Sequence, residues 1–118
     1  MNIMIVDDSA RMRTVIREIV CRPGDSVTEC SDGTEAVSEY LRSLHDPPVY
    51  IFMDIELKVM DGFTAAEQIL RVNPHARIIV VTNHNTSAFR LKAKQLKISG
   101  FVLKDDLQQL ARIIIRPA

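Results

Sequence analysis

Cysteine, net charge and long apolar runs are all scarce in this sequence, and each scarcity removes a class of function. Cys21 and Cys30 are the only thiols. Their spacing fits neither a CxxC redox pair nor a four-ligand zinc site, so they read as reduced, partly buried side chains. Fifteen Lys and Arg balance fifteen Asp and Glu, leaving no overall basic field to hold a phosphate backbone or an anionic membrane; direct nucleic-acid and membrane binding are not expected. No apolar stretch approaches the ~20 residues needed to span a bilayer, and Met1 to Val6 lacks the basic start and long apolar run of a leader, which points to a cytoplasmic protein. No internal repeat or low-complexity tract appears.

What is present fits one compact unit. A chain of 118 residues, 47% of them hydrophobic, is expected to form a single domain over residues 1–118, folding without metal or disulfide support. The neutral total conceals a sorting of charge. Residues 1–61 carry 12 acids and 6 bases, whereas residues 62–118 carry 3 acids and 9 bases.

Short apolar runs alternate with segments of helical periodicity. The runs are Asn2 to Val6, Ser26 to Cys30, Val49 to Met53, Arg77 to Val81 and Gly100 to Leu103. Those at Ile3–Val6, Val49–Met53 and Ile78–Val81 are apolar without alternation, as strands covered on both faces must be. Helical stripes follow each run: Met12, Val15, Ile16 and Ile19; Ala36, Val37, Tyr40, Leu41 and Leu44; Phe63, Ala66, Ile69 and Leu70; Ala88, Leu91 and Ala93; and Leu107, Leu110, Ala111 and Ile114. Pro23-Gly24, Pro47-Pro48, Asn73-Pro74 and Gly100 punctuate the boundaries. Five β-α units in this order imply an α/β fold, a doubly wound five-stranded parallel sheet with helices on both faces. In such sheets the chemistry sits at the carboxyl ends of the strands.

The residues at those ends form a specific set: Asp7 and Asp8, Asp54, Thr82 and Lys104. Clustered carboxylates repel one another and call for a cation, and all-oxygen ligation favours Mg²⁺ or Mn²⁺ over zinc. A hydroxyl and an ammonium on the opposite rim suit the oxygens of a phosphoryl group.

Taken with Met60-Asp61-Gly62 and with Phe101 three residues before Lys104, these residues make the whole chain resemble a receiver domain of the two-component response-regulator family. That resemblance implies the flavodoxin-like strand order 2-1-3-4-5. It also implies that Asp54 accepts a phosphoryl group from a phosphohistidine on a histidine kinase or histidine phosphotransfer protein. Asp8 and Asp54 would bind Mg²⁺ directly, Asp7 through a water, and the backbone carbonyl of Glu56 would complete the protein's share. Thr82 would take a phosphoryl oxygen, and Phe101 would change rotamer and shift the fourth helix, fifth strand and fifth helix. The chain is then a signalling switch rather than a turnover enzyme, with autodephosphorylation as its one hydrolytic step.

Several positions depart from the family pattern. Leu57-Lys58 stands where Met-Pro is frequent, Asn83 where a small residue often leaves the site open, and Asp105 where Pro often follows the lysine. Glu56, two residues past the acceptor, is positioned to bring a further carboxylate toward the phosphoryl group. His45, His75 and His84 lack metal-ligand spacing and read as surface residues, and Arg90, Lys92, Lys94 and Lys97 make the fourth helix basic, either as a solvated face or as a dock for an acidic partner. Ile113 and Ile115 extend the core or form a partner or phosphorylation-dependent homodimer surface. Two other readings stay open: a pseudo-receiver that binds partners without phosphorylation, and a haloacid-dehalogenase-type phosphatase, whose motif order fits poorly. The downstream target is a separate protein or a C-terminal effector domain, according to whether the receiver stands alone.

Overall fold

The structure is a computed structural model that describes residues 1–116. Five strands, β1 (Asn2–Val6), β2 (Ser26–Cys30), β3 (Tyr50–Met53), β4 (Ile78–Thr82) and β5 (Gly100–Leu103), alternate with α1 (Ala10–Val20), α2 (Gly33–Arg42), α3 (Gly62–Val72), α4 (Ser87–Gln95) and α5 (Gln109–Ile113). All strand pairs are parallel, in the order β2-β1-β3-β4-β5. The fold class and strand order expected from the sequence are both observed.

Why three strands carry apolar residues on both faces is visible in the packing. Side chains alternate across a strand, so Met4, Val6, Ile51, Met53 and Ile78 face Ala36, Tyr40, Ala65 and Ile69 of α2 and α3. Ile3, Ile5, Phe52, Ile79 and Val81 face Ile16, Val20 and Leu110 of α1 and α5. A third cluster, Ile55, Phe63, Val80 and Ala93, seats α4 together with Phe89, Leu96 and Phe101. Side-chain oxygens of Ser9, Asp32, Asp61 and Thr86 accept the N–H of the residue three positions on and fix where the first four helices begin.

Some stripe residues do not face the core. Leu41 is 48% and Leu44 47% exposed. The buried side of α2 is Gly33, Ala36 and Tyr40, and α2 ends before Leu44. On α4, Leu91 is 56% exposed and Ala88 is also outside, because the helix docks through Phe89, Ala93 and Leu96 instead. This second stripe has spacing i, i+4, i+7 and gains the Phe63 ring, edge-on to Phe89 at 5.6 Å. α5 is one short turn-rich segment. Leu107, Ile113 and Ile114 pack on the core while Ala111 and Ile115 are exposed, and Tyr50 Oη accepts the Ile115 N–H at 2.9 Å, holding the chain after α5 extended.

Both cysteines are free. Burial pushes the Cys30 thiol up to about 12, so it is inert. Among the described residues no peptide bond is cis, that between Lys104 and Asp105 included, and no helix is long and apolar enough to cross a membrane.

Candidate functional site: an acidic cluster at the carboxyl edge of the sheet

The sheet itself positions the cluster, because its hydrogen-bond ladder continues one residue past each strand. The Asp7 N–H donates to the Cys30 carbonyl at 3.1 Å, the Asp54 N–H to the Val6 carbonyl at 2.9 Å, and the Lys104 N–H to the Thr82 carbonyl at 2.8 Å. Each of these residues is therefore held by backbone, not by a mobile loop. Asp7 is further fixed from both ends: its Oδ1 accepts the Ser9 N–H at 2.9 Å, and its carbonyl accepts from Arg13 Nη1 at 2.7 Å.

Asp7, Asp8 and Asp54 each offer a carboxylate oxygen, and these oxygens all lie within 4.8 Å of one another. Asp7 is 1% and Asp54 5% exposed, while Asp8 is open to solvent. Lys104 reaches in from β5, donating from Nζ to Asp54 Oδ2 at 3.0 Å and lying 2.8 Å from Asp7 Oδ2. The second approach is an ion pair, so buried Asp7 Oδ2 meets the ammonium charge without a well-aligned donor.

One ammonium against three carboxylates leaves excess negative charge. Burial raises the Asp54 carboxyl above the ordinary range, the hydrogen bond and charge of Lys104 offset this only in part, and the charge of Asp7 adds to it. Burial alone would lower the Lys104 ammonium, but the close contacts with the Asp7 and Asp54 carboxylates and their charges outweigh it and hold Lys104 above the ordinary lysine range. Three carboxylates sharing one ammonium, among oxygen ligands only, fit a small hard divalent cation.

α3 begins against this cluster, and the reason lies in Asp61-Gly62. Asp61 caps the helix through the Thr64 N–H and Oγ1, at 3.0 and 2.9 Å. The Gly62 N–H donates to the Ile55 carbonyl at 2.8 Å, and a Cβ at Gly62 would overlap the backbone carbonyl of Asp54. Only glycine allows the helix to approach so closely. The intervening loop carries Val59 at φ 68°, a left-handed conformation that β-branched residues rarely adopt.

Thr82 is the last residue of β4 and fully buried. Its Oγ1 accepts the His84 N–H at 3.2 Å. Phe101 is half-buried on the α4 side of the sheet. The Glu56 side chain turns to pair with the His84 ring, tying together the two loops that flank the cluster.

The structure thus brings Asp7, Asp8, Asp54 and Lys104 together, with Thr82 on the adjoining strand end. Phe101 stands apart, under α4. The place of His84 two residues past Thr82 pointed toward the site, but its contacts with Thr82 Oγ1 and the Glu56 carboxylate were not legible from sequence. A separate groove of about 260 Å³ between the far ends of α3 and α4, lined by Leu70, Pro74 and Leu96 among others, contributes none of these groups.

Comparison with known proteins agrees with the geometry. The chain is 35% identical over 103 residues to the chemotaxis protein CheY of Bacillus subtilis, covering 86% of this chain and 83% of that protein. Among solved structures it is similar to a LuxR-family two-component response regulator from Aurantimonas, with 37% identity, a TM-score of 0.81, and 94% of this chain and 79% of that one covered. It is also similar to the response regulator domain of Thermotoga maritima CheB, with 26% identity, a TM-score of 0.80, and 99% and 98% covered. The family model of the response regulator receiver domain matches residues 3–115, and with the acidic cluster at the expected strand ends the chain belongs to that family, the phosphoacceptor switches of two-component signalling.

Proposed function

We propose that Asp54 is the phosphoacceptor of this receiver and that Asp7, Asp8 and Asp54, with the backbone carbonyl of Glu56, hold Mg²⁺ or, less selectively, Mn²⁺. The observation that carries this reading is the cluster of three carboxylates, Asp7, Asp8 and Asp54, with the Lys104 ammonium alone, among the described residues, placed to balance their charge. When bound, the cation supplies positive charge to the phosphoryl oxygens during transfer. The protein's own residues do the rest. A carboxylate oxygen of Asp54 attacks the phosphorus as the P–N bond to the donor imidazole breaks, and an ionised carboxylate needs no general base. Lys104, already within hydrogen-bond distance of Asp54, is placed to follow a phosphoryl oxygen. Thr82 would donate its hydroxyl to another, leaving the His84 N–H, and Phe101 would repack beneath α4.

The donor on this reading is a phosphohistidine of a histidine kinase or histidine phosphotransfer protein. The output is the surface of α4, β5 and α5, read by a separate protein or an attached effector domain, or by a second copy. Dephosphorylation would be intrinsic to the same site, in a cytoplasmic setting. The domain is proposed to occupy residues 1–118 as one unit.

Intact-protein mass spectrometry after incubation with Mg²⁺ and acetyl phosphate tests the assignment. One phosphoryl group should appear on the wild type and none on Asp54→Asn. Incorporation in the Asp54→Asn protein would place the acceptor elsewhere. Absence of incorporation in the wild type, together with no Mg²⁺ binding by titration, would favour a partner-binding module that does not use phosphorylation.

A further inference from the structure

The segment between Thr82 and α4 is held by side chains that phosphoryl transfer does not use. α4 buries only Ala93 in full, so contacts at its N-terminal end have unusual weight in deciding where it sits. At one end of the segment His84 donates its N–H to Thr82 Oγ1 and its ring lies edge-on to Phe89 at 5.8 Å. At the other, Asn85 Oδ1 accepts from Arg90 Nε at 2.7 Å. The same guanidinium lies over the Phe101 ring, 4.6 Å from its centroid. Arg90 therefore touches both the loop that follows Thr82 and the aromatic ring on β5. If Thr82 swings its Oγ1 out of reach of the His84 N–H to meet a phosphoryl oxygen, the loop loses that tie to β4, and Asn85, Arg90 and the Phe101 ring are the contacts through which the loss passes to β5.

We propose that Arg90 is a positioning residue of the resting state: by bridging Asn85 and the Phe101 ring, it biases the β4–α4 loop and Phe101 toward the arrangement present before phosphorylation. The inference rests on the roles given above to Asp54, Thr82 and Phe101. A contact present in one packing and lost in the other shifts the balance between them by its own worth. For a cation over an aromatic ring at an exposed site, that is a population ratio of about two- to fivefold.

The test uses the full chain titrated with beryllofluoride, an acyl phosphate mimic, in excess Mg²⁺, with the ring of Phe101 observed by NMR. Four proteins are compared: wild type, Arg90→Met, Phe101→Leu and the double variant. Methionine keeps an apolar side chain over the ring but removes the charge and the donor to Asn85. Arg90→Met should bind beryllofluoride about two- to fivefold more tightly, and its free-state Phe101 resonances should move toward the bound positions. In the Phe101→Leu background the same change should have no effect on affinity, the signature of action through the ring. Unchanged affinity and unchanged Phe101 resonances in Arg90→Met, with normal wild-type binding, overturn this inference alone, as does an equal effect in both backgrounds. A wild type that binds no beryllofluoride and accepts no phosphoryl group overturns the reading of the site, and this inference with it.

Discussion

Replacing Asp54 with asparagine should make the metal-free protein more stable, because the site is arranged for a cation at the fold's expense. At an effective dielectric of about 20, the Lys104 ammonium 3.0 Å away attracts the carboxylate by about 5.5 kcal/mol. Repulsion from Asp7, whose oxygen lies within 4.8 Å, returns at least about 3.5 kcal/mol. Desolvating a carboxylate costs several kcal/mol more, which makes the ionised side chain a net burden of about 1–2 kcal/mol. The raised Asp54 pKa has the same sign. A carboxyl with a folded pKa above its unfolded value of 3.8 favours the fold when protonated and loses that stability as pH rises through the folded pKa. Urea unfolding followed by circular dichroism, in EDTA at pH 7.5, should therefore place Asp54→Asn about 1–2 kcal/mol above wild type. The gap should close as pH falls toward 4. With Mg²⁺ at tenfold over its dissociation constant the wild type should recover about 1.4 kcal/mol, and the variant much less. An Asp54→Asn protein that is less stable than wild type in EDTA, with an unchanged denaturant slope, would refute this account of the charges.

Two further substitutions probe the loop that carries the helix to the site. Gly62→Ala would drive a Cβ into the Asp54 backbone carbonyl, so a loss of about 2–4 kcal/mol in urea unfolding and weaker Mg²⁺ binding are expected; a stability within 0.5 kcal/mol of wild type (roughly the scatter of harmless surface changes) would contradict the close approach. Val59→Gly removes a strained left-handed residue whose side chain is 88% exposed. After allowing for the greater freedom of glycine in the unfolded chain, it should stabilise the domain by about 0.5–1.5 kcal/mol, seen as a rise of a few degrees in Tm. A fall in Tm would mean that Val59 makes a contact which its exposure does not reveal.

Relief of strain at Val59 and crowding at Gly62 lie in one loop, and they show how local chemistry supports the site. Asp61 caps α3, Gly62 lets it touch Asp54, and Val59 bears the turn between them. The Leu57-Lys58 departure from the family pattern falls in this same loop. Leu57 still packs on the core, so the loop is anchored without proline.

The sequence determined the elements and which polar residues stand at the strand ends, because both rest on local signals. Short apolar runs bounded by turn residues and alternating with helical stripes read as strands covered twice, and the polar residues that end them fall at one edge of a parallel sheet. Asp7, Asp8, Asp54, Thr82 and Lys104 were therefore readable in advance. The tertiary structure decided which of two helical stripes α4 would bury. Ala88 with Leu91 and Phe89 with Ala93 and Leu96 satisfy helical spacing equally well, and the Phe63 ring selects the second. It also decided that Arg90 and Lys92, which read as a basic face, lie over Phe101 and Phe63, and that Glu56 meets His84 across the site. These contacts join residues far apart in the chain, and periodicity carries no information about which residue a side chain will meet on a neighbouring element.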